Sequence, residues 1–277
     1  MSEISKHDQE EPQEPEDKKV QVVPVEQLIP GIKPASEIKK LEGVGYGTNK
    51  FGDSFVPGFL NQEMGIIFSS KKYEGPFAGF KKDLDVLRER MKDQIVVDLG
   101  SGTSRPGYIL ASLLGAKGYV GVDQFQKGDL SNLTEKEIRS ALKETFSRDS
   151  TPADAGEVEQ KIEKHIKPEA ISASVIKGDM LDFLRRLPDN SVSIFTFGIS
   201  GEIIIDGKYG KALGEEINRV LNSEGGYLKL ESAIPVEGVK NLFQELSDKE
   251  LEDRVGEPEY SISPWLISGN PGFFVKK

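Results

Sequence analysis

The stretch "IVVDLGSGTSRPGYILASLLGAKGYVGVDQF", from Ile95 to Phe125, most narrows what this chain can fold into. It reads as an apolar strand, a glycine-rich turn, a helix and a second apolar strand ending in an acid. Pro106 falls early in the helix, where proline is tolerated. Two such strands joined through a helix make a right-handed βαβ unit on a mostly parallel sheet.

The alternation continues downstream. "TEKEIRSALKETF" predicts a helix, with Thr134 and Glu137 spaced as a capping box. "DSTPADAG" reads as a loop and "EVEQKIEKHI" as a further helix. "ASVIKGDM" is a strand, "LDFLRRLP" a short helix and "SVSIFTFGIS" a strand. "GKALGEEINRVLNSEGG" is a helix stopped by glycines. "YLKLES" is a strand, "EGVKNLFQELSDKEL" a helix, and "WLISGNPGFFVKK" a final hairpin around Gly269–Gly272. The expected fold is thus α/β: a Rossmann-like, mostly parallel sheet with helices on both faces, a C-terminal antiparallel hairpin and an N-terminal extension.

Three regions follow. Residues 1–19 hold seven acids, three bases and almost no apolar side chains, so they are expected to be a disordered acidic tail. Residues 20–90 read as an extension or cap. Their aromatics Tyr46, Phe51, Phe55, Phe59 and Phe68 lie amid glycines, and Phe80, Leu84, Leu87 and Met91 fall at helical spacing. Residues 91–277 carry the alternating pattern.

Composition excludes several classes. No cysteine is present, which removes disulfides and thiolate metal sites and fits a reducing compartment, so a cytoplasmic protein is expected. With His7 and His165 the only histidines, and His165 reading as a surface residue, a histidine metal centre or a Ser-His-Asp triad is not expected. No apolar run reaches the roughly 18–20 residues of a membrane span, and the N-terminus lacks the apolar core of a secretory signal. A formal charge of −10 disfavours a broad nucleic-acid footprint.

Ligands of open α/β sheets bind at the carboxyl ends of strands, where strand order reverses. The turn after Leu99 stands at such an end, and the next helix points its N-terminus there. A dinucleotide fingerprint would need a third glycine where Arg105 stands, and no Gly-x-x-x-x-Gly-Lys phosphate loop exists. What stands instead is Asp98, two residues before Gly100 and Gly102. An acid there repels a pyrophosphate and welcomes an ammonium group, so a ligand with an amino-acid end is expected.

"VVDLGSGTS" resembles the first motif of the class I S-adenosylmethionine-dependent methyltransferases, and the resemblance covers roughly residues 94–277. It implies that the turn formed by Gly100, Ser101 and Gly102 wraps the methionine part of the cofactor and that Asp98 orients its amino group. The family's frequent third glycine is Ser104 here. Asp123 follows Gly100 at about the ~20-residue spacing of an acid that takes ribose hydroxyls, and Gln124 would lie near the adenine. Asp179 and Met180, in "KGDML", match the family's adenine-binding pair, although an Asp there also suits the cap of the following helix. Phe197 and Gly198 would stand at the mouth, and "EEINRVLNSEGGYLKLES" resembles the family's helix and fifth strand.

The implied activity is methyl transfer to a small-molecule or protein acceptor, with S-adenosylmethionine as cofactor. Glu202 and Asp206 are candidate bases if the acceptor is a hydroxyl. The base-methylating Asn/Asp-Pro-Pro-Tyr sequence is absent after the fourth strand. A catalytically idle cofactor-binding interaction domain and a nucleic-acid methyltransferase remain the alternatives, with a dehydrogenase and an aminopropyl transferase further behind. Arg105 reads as a reach to the cofactor carboxylate or as a solvated side chain, and "GVGYGTNKFG" at 43–52 as an ordered loop or lid.

Overall fold

A computed structural model describes residues 17–39, 88–124, 129–148, 160, 168–196, 199, 207–229, 243–245 and 272–276. The expectations for Phe197, Gly198, Glu202, Asp206, His165, the loop at 43–52 and the aromatics from Tyr46 to Phe80 lie outside these residues.

The strands are β1 (Ile95–Leu99), β2 (Gly118–Asp123), β3 (Ser172–Lys177), β4 (Ser193–Phe195), β5 (Tyr227–Lys229), β6 (Phe243–Glu245) and β7 (Gly272–Lys276). They form one sheet in the order β3-β2-β1-β4-β5-β7-β6. β1 pairs in parallel with β2 on one side and β4 on the other, so strand order reverses at β1. Every residue of β1 is buried, which explains the unbroken apolar run and makes Asp98 within it an exception.

Among the helices are α1 (Val25–Leu28), α2 (Arg105–Leu113), α3 (Glu135–Arg148), α4 (Met180–Arg186) and α5 (Gly207–Val220). The capping box forms as expected. Thr134 N–H donates to the Glu137 carboxylate at 2.9 Å, and Glu137 N–H donates to Thr134 Oγ1 at 3.2 Å. α2 buries every residue from Gly107 to Leu113, with Pro106 in its first turn.

One expectation near the C-terminus is corrected. Phe243–Glu245 is a strand inside the stretch read as a helix. β7 pairs antiparallel with β6 on one side and β5 on the other, while the residues just before Gly269, read as its hairpin partner, lie outside the described residues. A Leu- and Glu-rich segment has helical propensity, but pairing with β7 decides its state.

The N-terminal segment is built into the main core. Ala173 N–H donates to Gln21 O, and Val23 N–H donates to Ala173 O, at 2.9 and 2.8 Å along the edge of β3. Val25 and Ile29 join the cluster that holds Val97, Val120 and Leu184. Asp17, inside the stretch expected to be disordered, accepts from Lys136 N–H at 3.1 Å.

Arg219 of α5 fixes the far end of α4. Its guanidinium donates to the carbonyls of Leu184 and Leu187, at 2.9 Å each, and to Glu216 and Asp189. Leu184 O also accepts from Leu187 N–H at 3.0 Å, so the guanidinium adds to that bond and caps the helix end at Leu187 O. Arg219→Met should therefore lower the unfolding free energy by about 2 kcal/mol in urea titration, because two acceptors lose their charged donor together. A change under about 0.5 kcal/mol would mean that water replaces the guanidinium at no cost.

Candidate cofactor site

The glycine turn is held by the end of β2. Gly100 and Ser101 N–H both donate to Val122 O, and Gly102 N–H donates to Asp123 Oδ2 at 3.0 Å. Gly100 and Gly102 have φ of +70° and +55°, in the left-handed region that favours glycine. A Cβ added at Gly102 would meet nothing within 4 Å. The third strand end joins the same edge, since Gly178 N–H donates to Asp123 O at 3.1 Å. The turn, Asp123 and the start of α4 thus meet at the reversal of strand order, where an open sheet binds ligand.

Asp98 is the unusual group. It is 1% exposed and lies in the central strand. Its Oδ2 accepts from the Tyr119 hydroxyl at 2.6 Å, and its Oδ1 is buried without a hydrogen-bond partner. Burial pushes the carboxyl up to about 7; the Tyr119 hydrogen bond opposes this, and the like charge of Asp123 adds to it. This folded-state value lies above the ordinary carboxylate value. The contribution of Asp98 to stability is therefore fully present below about pH 4 and is lost as pH rises through 7.

Tyr119 is wholly buried and stays a neutral donor: burial and the neighbouring Asp98 raise its hydroxyl well above the ordinary range. The hydroxyls of Ser101 and Ser104 also hydrogen-bond to it, and lie 3.0 Å from each other. Ser104 stands at the N-cap position of α2 with φ +61°, makes no side-chain cap bond there, and is fully buried. Gly121 of β2 leaves room for its side chain.

The remaining expected residues fall as follows. Asp123 is half-buried and braces the turn. Asp179 caps α4 through Oδ1, which accepts from Leu181 and Asp182 N–H at 2.9 and 3.0 Å. Its Oδ2 accepts from the Tyr209 hydroxyl at 2.9 Å and from Gln124 Nε2 at 3.4 Å. Met180 is packed in the main core. Arg105 is exposed at the first residue of α2.

Sequence reasoning did not single out Tyr119, Gly107 or Tyr209. For Tyr119 a signal existed: a tyrosine inside an apolar parallel strand needs an acceptor for its hydroxyl. Gly107 and Tyr209 act through contacts with residues far away in sequence, and nothing local marks them.

Among the described residues no helix is long and apolar enough to cross a membrane. No family model and no curated protein matches the chain. Solved structures give loose likenesses. An rRNA methylase from Streptococcus thermophilus is 14% identical, with 75% of this chain and 99% of that one covered, at a TM-score of 0.36. A precorrin-6y C5,15-methyltransferase from Geobacter metallireducens is 15% identical, with 75% and 90% covered, at 0.31. A TehB-like S-adenosylmethionine-dependent methyltransferase from Corynebacterium glutamicum is 18% identical, with 70% and 87% covered, at 0.32. The fold is established by the chain's own sheet: a Rossmann-like α/β arrangement with a two-glycine turn at its switch point.

Proposed function

We propose that the chain is an S-adenosylmethionine-dependent methyltransferase acting on a small-molecule or protein acceptor. The observation that carries this reading is the buried Oδ1 of Asp98, left without a partner two residues before a left-handed glycine turn. A buried acid oxygen without a donor is costly, and an ammonium group supplies the donor it lacks. The pyrophosphate of a dinucleotide would instead bring negative charge toward it.

On this reading Asp98 receives the amino group, and Gly100 and Gly102 let the backbone approach the amino-acid end. Asp123 keeps its bond to Gly102 N–H and accepts a ribose hydroxyl with its remaining lone pairs. Asp179 holds its cap with one oxygen. Its 3.4 Å contact to Gln124 is the weakest bond it makes, and an adenine amine would replace it. When bound, the cofactor supplies an electrophilic methyl group on a sulfonium, and alignment of the acceptor with that bond supplies much of the catalysis. The net charge of −10 supports a small-molecule or protein acceptor over a nucleic acid.

Thermal unfolding with S-adenosylhomocysteine, the demethylated product, and with NAD tests the reading. At 100 times its dissociation constant the first should add about 2.7 kcal/mol of stability. Stabilisation by NAD and none by S-adenosylhomocysteine would overturn it.

A further inference from the structure

We propose that Tyr119 is a positioning residue that makes ligand binding proton-coupled: its hydroxyl holds one oxygen of Asp98, and the other oxygen exchanges a proton for the ammonium group of the ligand's amino-acid end. This rests on the function proposed above and deepens it.

Among the described residues no cation faces Asp98. From β2 it meets the Tyr119 hydroxyl at 2.6 Å and, at the strand end, the like charge of Asp123. From the turn, the Ser101 and Ser104 hydroxyls bond to Tyr119. α2 presents Gly107, which has no side chain, and Tyr108, whose hydroxyl donates to Ile171 O and accepts from Ile171 N–H, both at 2.9 Å. β4 places the apolar Phe195 in register beside it. None of these groups is a cation, so an acid with one orphaned oxygen has a strong reason to hold its proton.

Burial raises the Asp98 carboxyl to about 7, so near neutrality both forms are populated. An incoming ammonium favours the carboxylate. Below that value binding therefore releases the Asp98 proton to solvent, and the ligand's ammonium stays charged. Above it the acid is already ionised and nothing is released. Affinity for an amino-acid-bearing ligand should fall about tenfold per pH unit below 7 and level off above it. Tyr119 sets the midpoint, because its donated hydrogen bond lowers the carboxyl.

The test is calorimetry on the full chain with two ligands. One is S-adenosylhomocysteine. The other is methylthioadenosine, which has the nucleoside and sulfur but no amino-acid end. In buffers of differing ionisation enthalpy, S-adenosylhomocysteine should release close to one proton at pH 6 and almost none at pH 8.5. Methylthioadenosine should release none at either pH. In Tyr119→Phe, which keeps the edge-on ring packing against Tyr108 at 5.7 Å, the midpoint should move to higher pH, so that the loss of affinity relative to wild type is greater at pH 7 than at pH 9. Equal proton release by both ligands, or uniform weakening of the variant at every pH, overturns the inference while leaving the proposed function standing. If wild type binds neither ligand, the proposed function itself fails. Should the variant not fold, proton release by wild type alone decides the coupling.

Discussion

Gly107→Ala should destabilise the protein by about 2–4 kcal/mol, even though alanine is the better helix former by up to about 1 kcal/mol. Gly107 lies in the first turn of α2 with its missing side chain facing β1 and β2. An added Cβ would press into Asp98 Oδ2, and would stand 2.8 Å from Asp98 Cγ and 2.9 Å from the Tyr119 hydroxyl. Asp98 and Tyr119 are both fully buried, so neither side chain can swing into solvent. Overpacking of this kind typically costs about 1–3 kcal/mol. Displacing the carboxyl from Tyr119 leaves a second buried polar atom without its partner, at about 1–3 kcal/mol more. These terms exceed the helix gain. Urea unfolding gives the sign directly, and a variant as stable as wild type would show that Asp98 does not lie where this contact puts it. The Gly107→Ala, Asp98→Ala pair should show a favourable coupling above 1 kcal/mol, since removing the carboxyl removes the clash.

That contact shows where sequence and structure part company. The ends of β1, β2 and β3 are legible from apolar runs that stop at Leu99, Asp123 and Lys177, the first and third followed by glycine and the second closing on an acid. Thr134 and Glu137 are legible because a capping box is a local device, fixed by a three-residue spacing. The cap role of Asp179 is readable for the same reason. Phe243–Glu245 is not, because its strand state depends on β7, which is remote in the chain. The pairing of Asp98 with Tyr119 is likewise nonlocal. Only the register of β1 against β2, with Asp98 opposite Gly121, brings that hydroxyl beside the acid. A motif shows that an acid stands before two glycines. It does not show that one oxygen of that acid is already taken.

The same register accounts for the departure from the three-glycine pattern. Ser104 adopts φ +61°, a conformation that costs an L-residue about 1–2 kcal/mol relative to glycine. Its side chain fits because Gly121 has none: a Cβ at Gly121 would press into Ser104 Oγ, and would lie 2.9 Å from Ser104 Cβ and 3.0 Å from Ser101 Oγ. Gly121→Ala alone should therefore destabilise by about 2–3 kcal/mol, despite the modest gain expected when alanine replaces glycine within a strand. Ser104→Gly alone should be close to neutral, since relief of the left-handed strain offsets the lost hydroxyl bonds to Ser101 and Tyr119. Together the two changes should recover most of the loss, a coupling of roughly 1.5 kcal/mol or more, because glycine at 104 vacates the space that alanine at 121 enters. The affinity of the double variant for S-adenosylhomocysteine should also return to within a fewfold of wild type, since the turn is again free to take its native path. Strict additivity of the two substitutions in urea unfolding would refute the pairing, and the serine at 104 would then be held by the turn alone.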